Sequence, residues 1–206
     1  MEIERINEYQ DERFSQKALW QHGCFLADGM PYEVEIISDF EAVIKGRNPG
    51  MYLPVIEEFR FYAPQITYFC DTEHRVVKQY ARKEIFTVPL DVIQPSQFYV
   101  DEEKVRAISH FIQTSKEIIV PIAPFEEGYV SLDGHTRLYY AAMNGWTEVR
   151  ATEDSADDYI WEFVKEARKR HVHTPRDLAP ISHSEYKRKW DQFCDDFFAG
   201  RSRNLL

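Results

Sequence analysis

The segment Leu132–Leu138 constrains the fold more than any other part of the sequence. An apolar run ends at Leu132, a glycine follows at position 134, and a helical pattern begins at once. A strand that becomes a helix so abruptly places unpaired helix amides, and the positive end of the helix dipole, at the turn. Phosphate groups bind to such helix starts. The turn therefore predicts an anion site.

The side chains of the turn add to this prediction. Gly134 leaves the backbone open to a ligand, and Arg137 offers a guanidinium fork that matches a phosphate. The expected phosphate- or nucleotide-binding residues are Gly134, His135, Thr136 and Arg137. Asp133 and His135 are the candidate catalytic residues, the first to orient or deprotonate an acceptor hydroxyl and the second as a donor or proton shuttle. The alternative is a plain helix start, with Asp133 as the cap and Arg137 paired with a surface acid.

The residues around this turn predict alternating strands and helices. The predicted strands are Ile85–Ile93, Ile118–Ile122, Tyr129–Leu132 and Glu148–Ala151, and the predicted helices are Asp101–Thr114 and Asp133–Asn144. Gly145 is a typical residue just after a helix end. These elements define a central part, residues 84–153.

The flanking parts have different patterns. Residues 1–83 predict a β-rich N-terminal subdomain, with strands at Leu19–Ala27, Tyr32–Ile37 and Glu41–Lys45 and a hairpin turn at Asp28-Gly29. Residues 154–206 predict a C-terminal helical extension packed on the core. Its last helix follows a capping box at Ser182–Glu185 and ends at Gly200. The expected fold class is α+β.

Residues 84–151 resemble the ParB/sulfiredoxin superfamily. The matching segments are Phe86–Leu90, Ile93–Pro95, Ile119–Pro121, Leu132–Arg137, Ala141-Ala142 and Gly145. The resemblance implies a mixed α/β core that holds a nucleotide phosphate on the Asp133–Arg137 turn, with ATP, ADP or CTP and Mg²⁺ as the cofactor.

Members of this superfamily differ at the turn. Sulfiredoxin carries Gly-Cys-His-Arg, so His135 stands at the position of its nucleophilic cysteine and sulfiredoxin chemistry is not expected. Partition ParB proteins carry Gly-Glu-Arg-Arg, bind CTP and continue into a helix-turn-helix, which we do not find after residue 151. Free-serine kinases carry Asp-Gly-His-His-Arg, from which this turn differs only at Thr136. Those kinases also use a Glu in the loop after the first strand, whereas Gln94–Val100 contains no carboxylate.

Three functions are therefore open. The first is a nucleotide-binding enzyme, a small-molecule kinase or nucleotide hydrolase, that transfers phosphate to a small hydroxyl metabolite. The second is a non-catalytic module that senses a nucleotide or binds a protein partner, and the third is a ParB-type DNA-associated partition or regulatory protein. Asp101, Glu102 and Glu103 are candidates to hold Mg²⁺ or act as a general base, the alternative being a charged first helical turn.

Charge and composition bear on the partners. The net charge of −10 argues against duplex DNA, because backbone binding relies on Lys and Arg. One basic cluster is present, either a solvated helix end or a contact for an anionic ligand or nucleic acid: Lys165, Arg168, Lys169, Arg170 and Arg176. No apolar run is long enough to cross a bilayer, and the charged start at Met1–Arg5 lacks a signal peptide's apolar stretch. We expect a cytoplasmic protein without a membrane partner.

The cysteines and a histidine pair are weak metal candidates. Cys24, Cys70 and Cys194 are too far apart in sequence for a zinc motif, and we expect all three to be buried and unpaired. His171 and His173 are not spaced for two ligands on one helix face.

Overall fold

The computed structural model describes residues 2–203 and shows an α+β fold. The chain divides into two compact units. One contains the chain up to Thr87 with Ile119–Ile122 and Arg150–Ser155, and the other contains Val88–Ile118, Ala123–Val149 and the chain from Ala156 onward.

The first unit is built on a six-stranded sheet with the strands in sequence order. The strands are β1 Ile3–Arg5, β2 Cys24–Ala27, β3 Met30–Ile36, β4 Glu41–Gly46, β5 Tyr68–Cys70 and β6 Val76–Gln79. Neighbours are antiparallel except β4 and β5, which are parallel. The predicted hairpin turn joins β2 to β3, and both of its residues have positive φ, Asp28 at 49° and Gly29 at 76°. Such a turn matches the twist of paired strands.

Two helices of this unit were not predicted. The expected strand Leu19–Ala27 is wrong in its first part, because Gln16–Trp20 forms helix α1, whose cap Ser15 accepts a hydrogen bond from Ala18 N. Tyr52–Tyr62 forms α2. Phe59 of α2 is buried edge-on against Phe25 and Phe69 of the sheet. Burial of these aromatic side chains on the sheet supplies the stabilisation of α2.

A second, five-stranded sheet has the order β7-β12-β10-β11-β8. Its strands are β7 Phe86–Pro89, β8 Ile93–Pro95, β10 Ile119–Phe125, β11 Gly128–Ser131 and β12 Glu148–Glu153. The pairs β10–β12 and β8–β11 are parallel. The predicted strand Ile85–Ile93 is wrong as one element, since a 3₁₀ turn at Leu90–Val92 divides it.

Helix α3 is shorter than predicted. It covers Glu102–Ile108 rather than continuing to Thr114. The carboxylate of Glu117 accepts hydrogen bonds from the N–H groups of Gln113 and Thr114, at 2.8 and 2.7 Å. These bonds cap the next 3₁₀ turn, Ser115–Glu117, so residues 113 and 114 do not continue the α-helix.

The second unit also contains α4 His135–Met143, α5 Asp158–Lys169, α6 His183–Tyr186 and α7 Gln192–Arg203. A π-helical turn, Lys187–Asp191, joins α6 to α7, and β13 Ala179–Ile181 pairs in parallel with β9 Tyr99–Asp101. The prediction that Gly200 ends the last helix is wrong, because α7 continues to Arg203. Trp190 and Phe193 pack on Phe98 and Phe163, so aromatic contacts hold this end in place.

The cysteines are free thiols. Cys24 and Cys70 are buried as predicted, whereas Cys194 is only partly buried. Among the described residues, no helix is both long and apolar enough to cross a membrane.

Candidate functional site

The Asp133–Arg137 turn joins β11 to α4. The helix begins at His135, and its N-cap is Gly134 with φ 82° and ψ 21°, a left-handed conformation that favours glycine. The prediction that Asp133 is the N-cap residue is therefore wrong, because Gly134 takes that position and has no side chain with which to form a capping hydrogen bond. Gly134 is therefore the single residue between Asp133 and the first helical residue, His135.

The amide groups at the start of α4 precede its first intrahelical hydrogen bond. That bond runs from Leu138 N to Gly134 O at 3.0 Å. The earlier helical N–H groups have no acceptor within the helix, and a left-handed residue followed by right-handed ones turns successive N–H groups toward one concavity. The start of α4 thus has the backbone shape of an anion site.

Arg137 lies in the first turn of α4 and is paired with Asp133. Arg137 Nη2 lies 3.2 Å from Asp133 Oδ2, and the two side chains are 28% and 31% exposed. Pairs this accessible contribute little to stability, so a ligand phosphate can compete for the guanidinium. Gly134 and Thr136 are also partly exposed. Four residues of the predicted site, Asp133, Gly134, Thr136 and Arg137, are therefore partly accessible at the turn.

His135 points the other way and is buried. Its Nε2 accepts a hydrogen bond from Ser96 N at 3.2 Å, and lies 3.1 Å from Ser96 Oγ and 3.0 Å from Ser131 Oγ. Ser96 Oγ in turn donates to Ser131 O at 2.8 Å. Since Nε2 accepts from a backbone N–H, the ring proton is on Nδ1.

Burial controls the charge of His135. Desolvation lowers the pKa of the imidazole from 6.5 to about 4, against a smaller opposing effect of Asp133. The ring is therefore neutral at pH 7. Its hydrogen bonds fix the turn to Ser96 and Ser131, which makes His135 a structural anchor of the site.

The three acidic candidates at the start of α3 lie in different environments. Asp101 is 1% exposed, whereas Glu102 and Glu103 are exposed. Asp101 caps α3 by accepting from Glu103 N at 2.9 Å, and its other oxygen lies 2.6 Å from Nδ1 of His183. Within residues 2–203, no three His, Cys, Asp or Glu side chains gather where they could hold a metal ion.

Sequence reasoning missed His183. The capping box at Ser182 was visible, and Ser182 Oγ does accept from Glu185 N. No local pattern, however, linked His183 to Asp101, which is 82 positions away.

The basic cluster of the sequence is largely neutralised. Arg168 forms a two-pronged ion pair with Glu126, at 2.7 Å for both contacts, and also donates to Gln94 Oε1. Lys169 and Arg170 pair with Glu166, and Lys165 pairs with Glu162. Arg176 donates to Ala142 O. The cluster has the contacts of a solvated helix end.

Comparison with known proteins gives little further information. No family model and no curated protein matches the chain. Among solved structures, the chain is similar to the crystal structure of protein Atu1540 from Agrobacterium tumefaciens, with 15% identity and a TM-score of 0.37. The similarity covers 47% of this chain and 62% of that protein, so the chain spans less than two thirds of its length. A likeness this weak does not indicate a function.

Proposed function

We propose that the protein binds a nucleotide through its phosphates at the start of α4 and transfers phosphate to a small hydroxyl compound. The observation that carries the proposal is the left-handed Gly134 immediately before a helix whose first α-helical backbone hydrogen bond runs from Leu138 N to Gly134 O. Backbone N–H groups in this arrangement, together with the helix dipole, favour a phosphate.

Arg137 and Thr136 complete the phosphate site. When a phosphate enters, the guanidinium of Arg137 exchanges its exposed contact with Asp133 for a charge-assisted contact with the ligand, worth roughly 1.5–3 kcal/mol. Thr136, which is partly exposed in the first turn of α4, supplies a hydroxyl. Asp133 then serves to hold Arg137 in position before the ligand arrives.

The resemblance of residues 84–151 to the ParB/sulfiredoxin superfamily supports a nucleotide over a free phosphate. The turn differs from that of the free-serine kinases only at Thr136. ATP, ADP or CTP with Mg²⁺ is therefore the proposed ligand, in a cytoplasmic protein. Phosphoryl transfer needs mainly positioning and charge neutralisation, which the turn offers.

One alternative is favoured by a specific observation. The loop Gln94–Val100 lacks the carboxylate that the similar kinases use, and Ser96 within it is engaged with His135. A non-catalytic module that senses a nucleotide would have the same phosphate turn without a base in this loop.

A thermal-shift screen tests the proposal. Purified protein is heated with ATP, ADP, CTP or GTP, each with and without Mg²⁺, and we expect a higher Tm with at least one of them because binding stabilises the folded state. Consumption of that nucleotide is then measured with a pool of small hydroxyl metabolites. No shift with any nucleotide at millimolar concentration contradicts the proposal, and a shift without turnover supports the sensing module.

A further inference from the structure

A second cluster of titratable groups lies in the same unit as the phosphate turn. Asp101 ends β9, and its buried carboxylate lies 2.6 Å from His183 Nδ1 in α6. Two hydrogen bonds, from His183 and from the amide of Glu103, hold this carboxylate in one orientation. A carboxylate that accepts from Nδ1–H fixes the tautomer of an imidazole and leaves the lone pair of Nε2 free.

His183 is more exposed than its partner Asp101. The side chain of His183 is 34% exposed, whereas that of Asp101 is 1% exposed. His183 interacts electrostatically with Asp191 of the π-helical turn, which also interacts with Lys104 of α3, Lys187 of the same turn and Asp195 of α7. A buried acid that orients a partly exposed histidine is an arrangement that a general base can use.

The pair is linked to the phosphate turn through one short segment. Ser96 is bonded to His135 at the turn, and Asp101 is bonded to His183. Ser96 and Asp101 are five positions apart, so their Cα atoms are separated by at most about 18 Å. Both α4 and α6 pack on β9, which lies in this segment. The pair and the phosphate turn are thus connected through β9 and the segment from Ser96 to Asp101.

We propose that His183 is the general base of the transfer reaction and that Asp101 is its positioning residue; this inference rests on the nucleotide-binding function proposed above. Nε2 of His183 takes the proton of the acceptor hydroxyl as the hydroxyl oxygen bonds to the γ-phosphorus of ATP. The bond from that phosphorus to the β,γ-bridging oxygen breaks, and ADP leaves. The carboxylate of Asp101 stabilises the imidazolium, which then releases its proton to solvent.

This assignment supplies the base that the loop Gln94–Val100 lacks. It also fits the buried position of His135, whose Nε2 is occupied by Ser96 and Ser131. Of the two histidines, only His183 presents a ring that is substantially exposed.

The substitution His183→Asn tests the base directly. The amide of Asn can replace Nδ1–H as the donor to Asp101, so the fold is kept, but it cannot accept a proton. We expect kcat to fall on the order of 100-fold or more while nucleotide affinity and Tm stay unchanged. Asp101→Asn keeps a capping side chain and should lower kcat without changing KM. The control is His110→Asn at an exposed position, which should leave all four quantities unchanged.

A second measurement does not depend on turnover. Diethyl pyrocarbonate acylates neutral, accessible imidazole nitrogens, and mass spectrometry reports its rate at each histidine. With a non-hydrolysable ATP analogue and Mg²⁺ bound, we expect the rate at His183 to fall several-fold and the rate at His110 to stay constant. An unchanged rate at His183, with binding confirmed by thermal shift, overturns the assignment of the base and leaves nucleotide binding intact.

The remaining outcomes also separate the two proposals. A wild-type protein that binds nucleotide but never consumes it contradicts the general base alone. A protein that no nucleotide stabilises contradicts the proposed function, and this inference falls with it. An equal loss of Tm and kcat in His183→Asn, which His110→Asn does not share, assigns the pair a structural role and overturns the proposal.

Discussion

The backbone N–H of Ser96 donates a hydrogen bond to Nε2 of His135 at 3.2 Å, joining positions 39 apart in the chain. This bond ties the loop after β8 to the first residue of α4. It also means that His135 must stay neutral, because a protonated Nε2 would face the donor N–H. The anchor of the phosphate turn is therefore sensitive to acid.

Because of His135, the free energy of unfolding should decrease as the pH is lowered. The pKa of His135 is about 4 in the folded state and 6.5 for an unperturbed histidine, so between these values the unfolded chain binds a proton that the folded protein does not. Its contribution is complete above pH 6.5 and is lost as the pH falls toward 4, by up to roughly 3 kcal/mol. Denaturant unfolding at several pH values measures this slope.

His135→Gln is the matched variant, because its side-chain oxygen can still accept from Ser96 N. Titration of the carboxylates is common to both proteins and cancels in the difference. We expect the variant to lose stability less steeply between pH 6.5 and 4. Parallel pH profiles for wild type and variant would show that His135 does not resist protonation.

The ion pair between Asp133 and Arg137 leads to a second prediction. Asp133→Asn should change the free energy of unfolding by less than ~1 kcal/mol, because an accessible pair one helical turn apart contributes little. Nucleotide affinity should rise or stay equal, since a negative charge near the phosphates is removed. Turnover should fall by less than about 10-fold if His183 is the base; a loss on the order of 100-fold would assign the catalytic carboxylate to Asp133.

Duplex DNA should not bind at physiological salt. The net charge is −10, and Lys165, Arg168, Lys169 and Arg170 are already paired with carboxylates. Few cations of this cluster are left to release counterions from DNA. A gel shift checks this, and sub-micromolar affinity that persists at about 0.2 M salt would direct attention back to this cluster.

Local patterns in the sequence were enough for the central elements. The helix after Gly134 and its end at Gly145, with φ 72°, follow from spacing and glycine chemistry, as does the Asp28-Gly29 hairpin. The buried position of His135 could also be predicted from its helical spacing to apolar residues. It precedes Leu138, Tyr139 and Ala142 by three, four and seven residues, and all three are buried.

Two other features were missed although short-range contacts define them, and a third depends on a contact that no local pattern shows. Leu19 is buried in helix α1 rather than in a strand, because Ser15 caps that helix and accepts a backbone hydrogen bond in it. The end of α3 is set by Glu117, beyond the helix itself. The pairing of Asp101 with His183 joins residues 82 positions apart, and only the fold brings them together.

Calorimetric titration of the nucleotide that gives the largest thermal shift tests the phosphate site most directly. Arg137→Ala should weaken its affinity roughly 10- to 150-fold, since a charge-assisted contact is lost. Arg176→Ala is the control, because Arg176 contacts Ala142 O near the other end of α4 and should bind nucleotide like wild type. Equal affinity of wild type and Arg137→Ala, or equal weakening by both substitutions, would contradict a phosphate site at the start of α4.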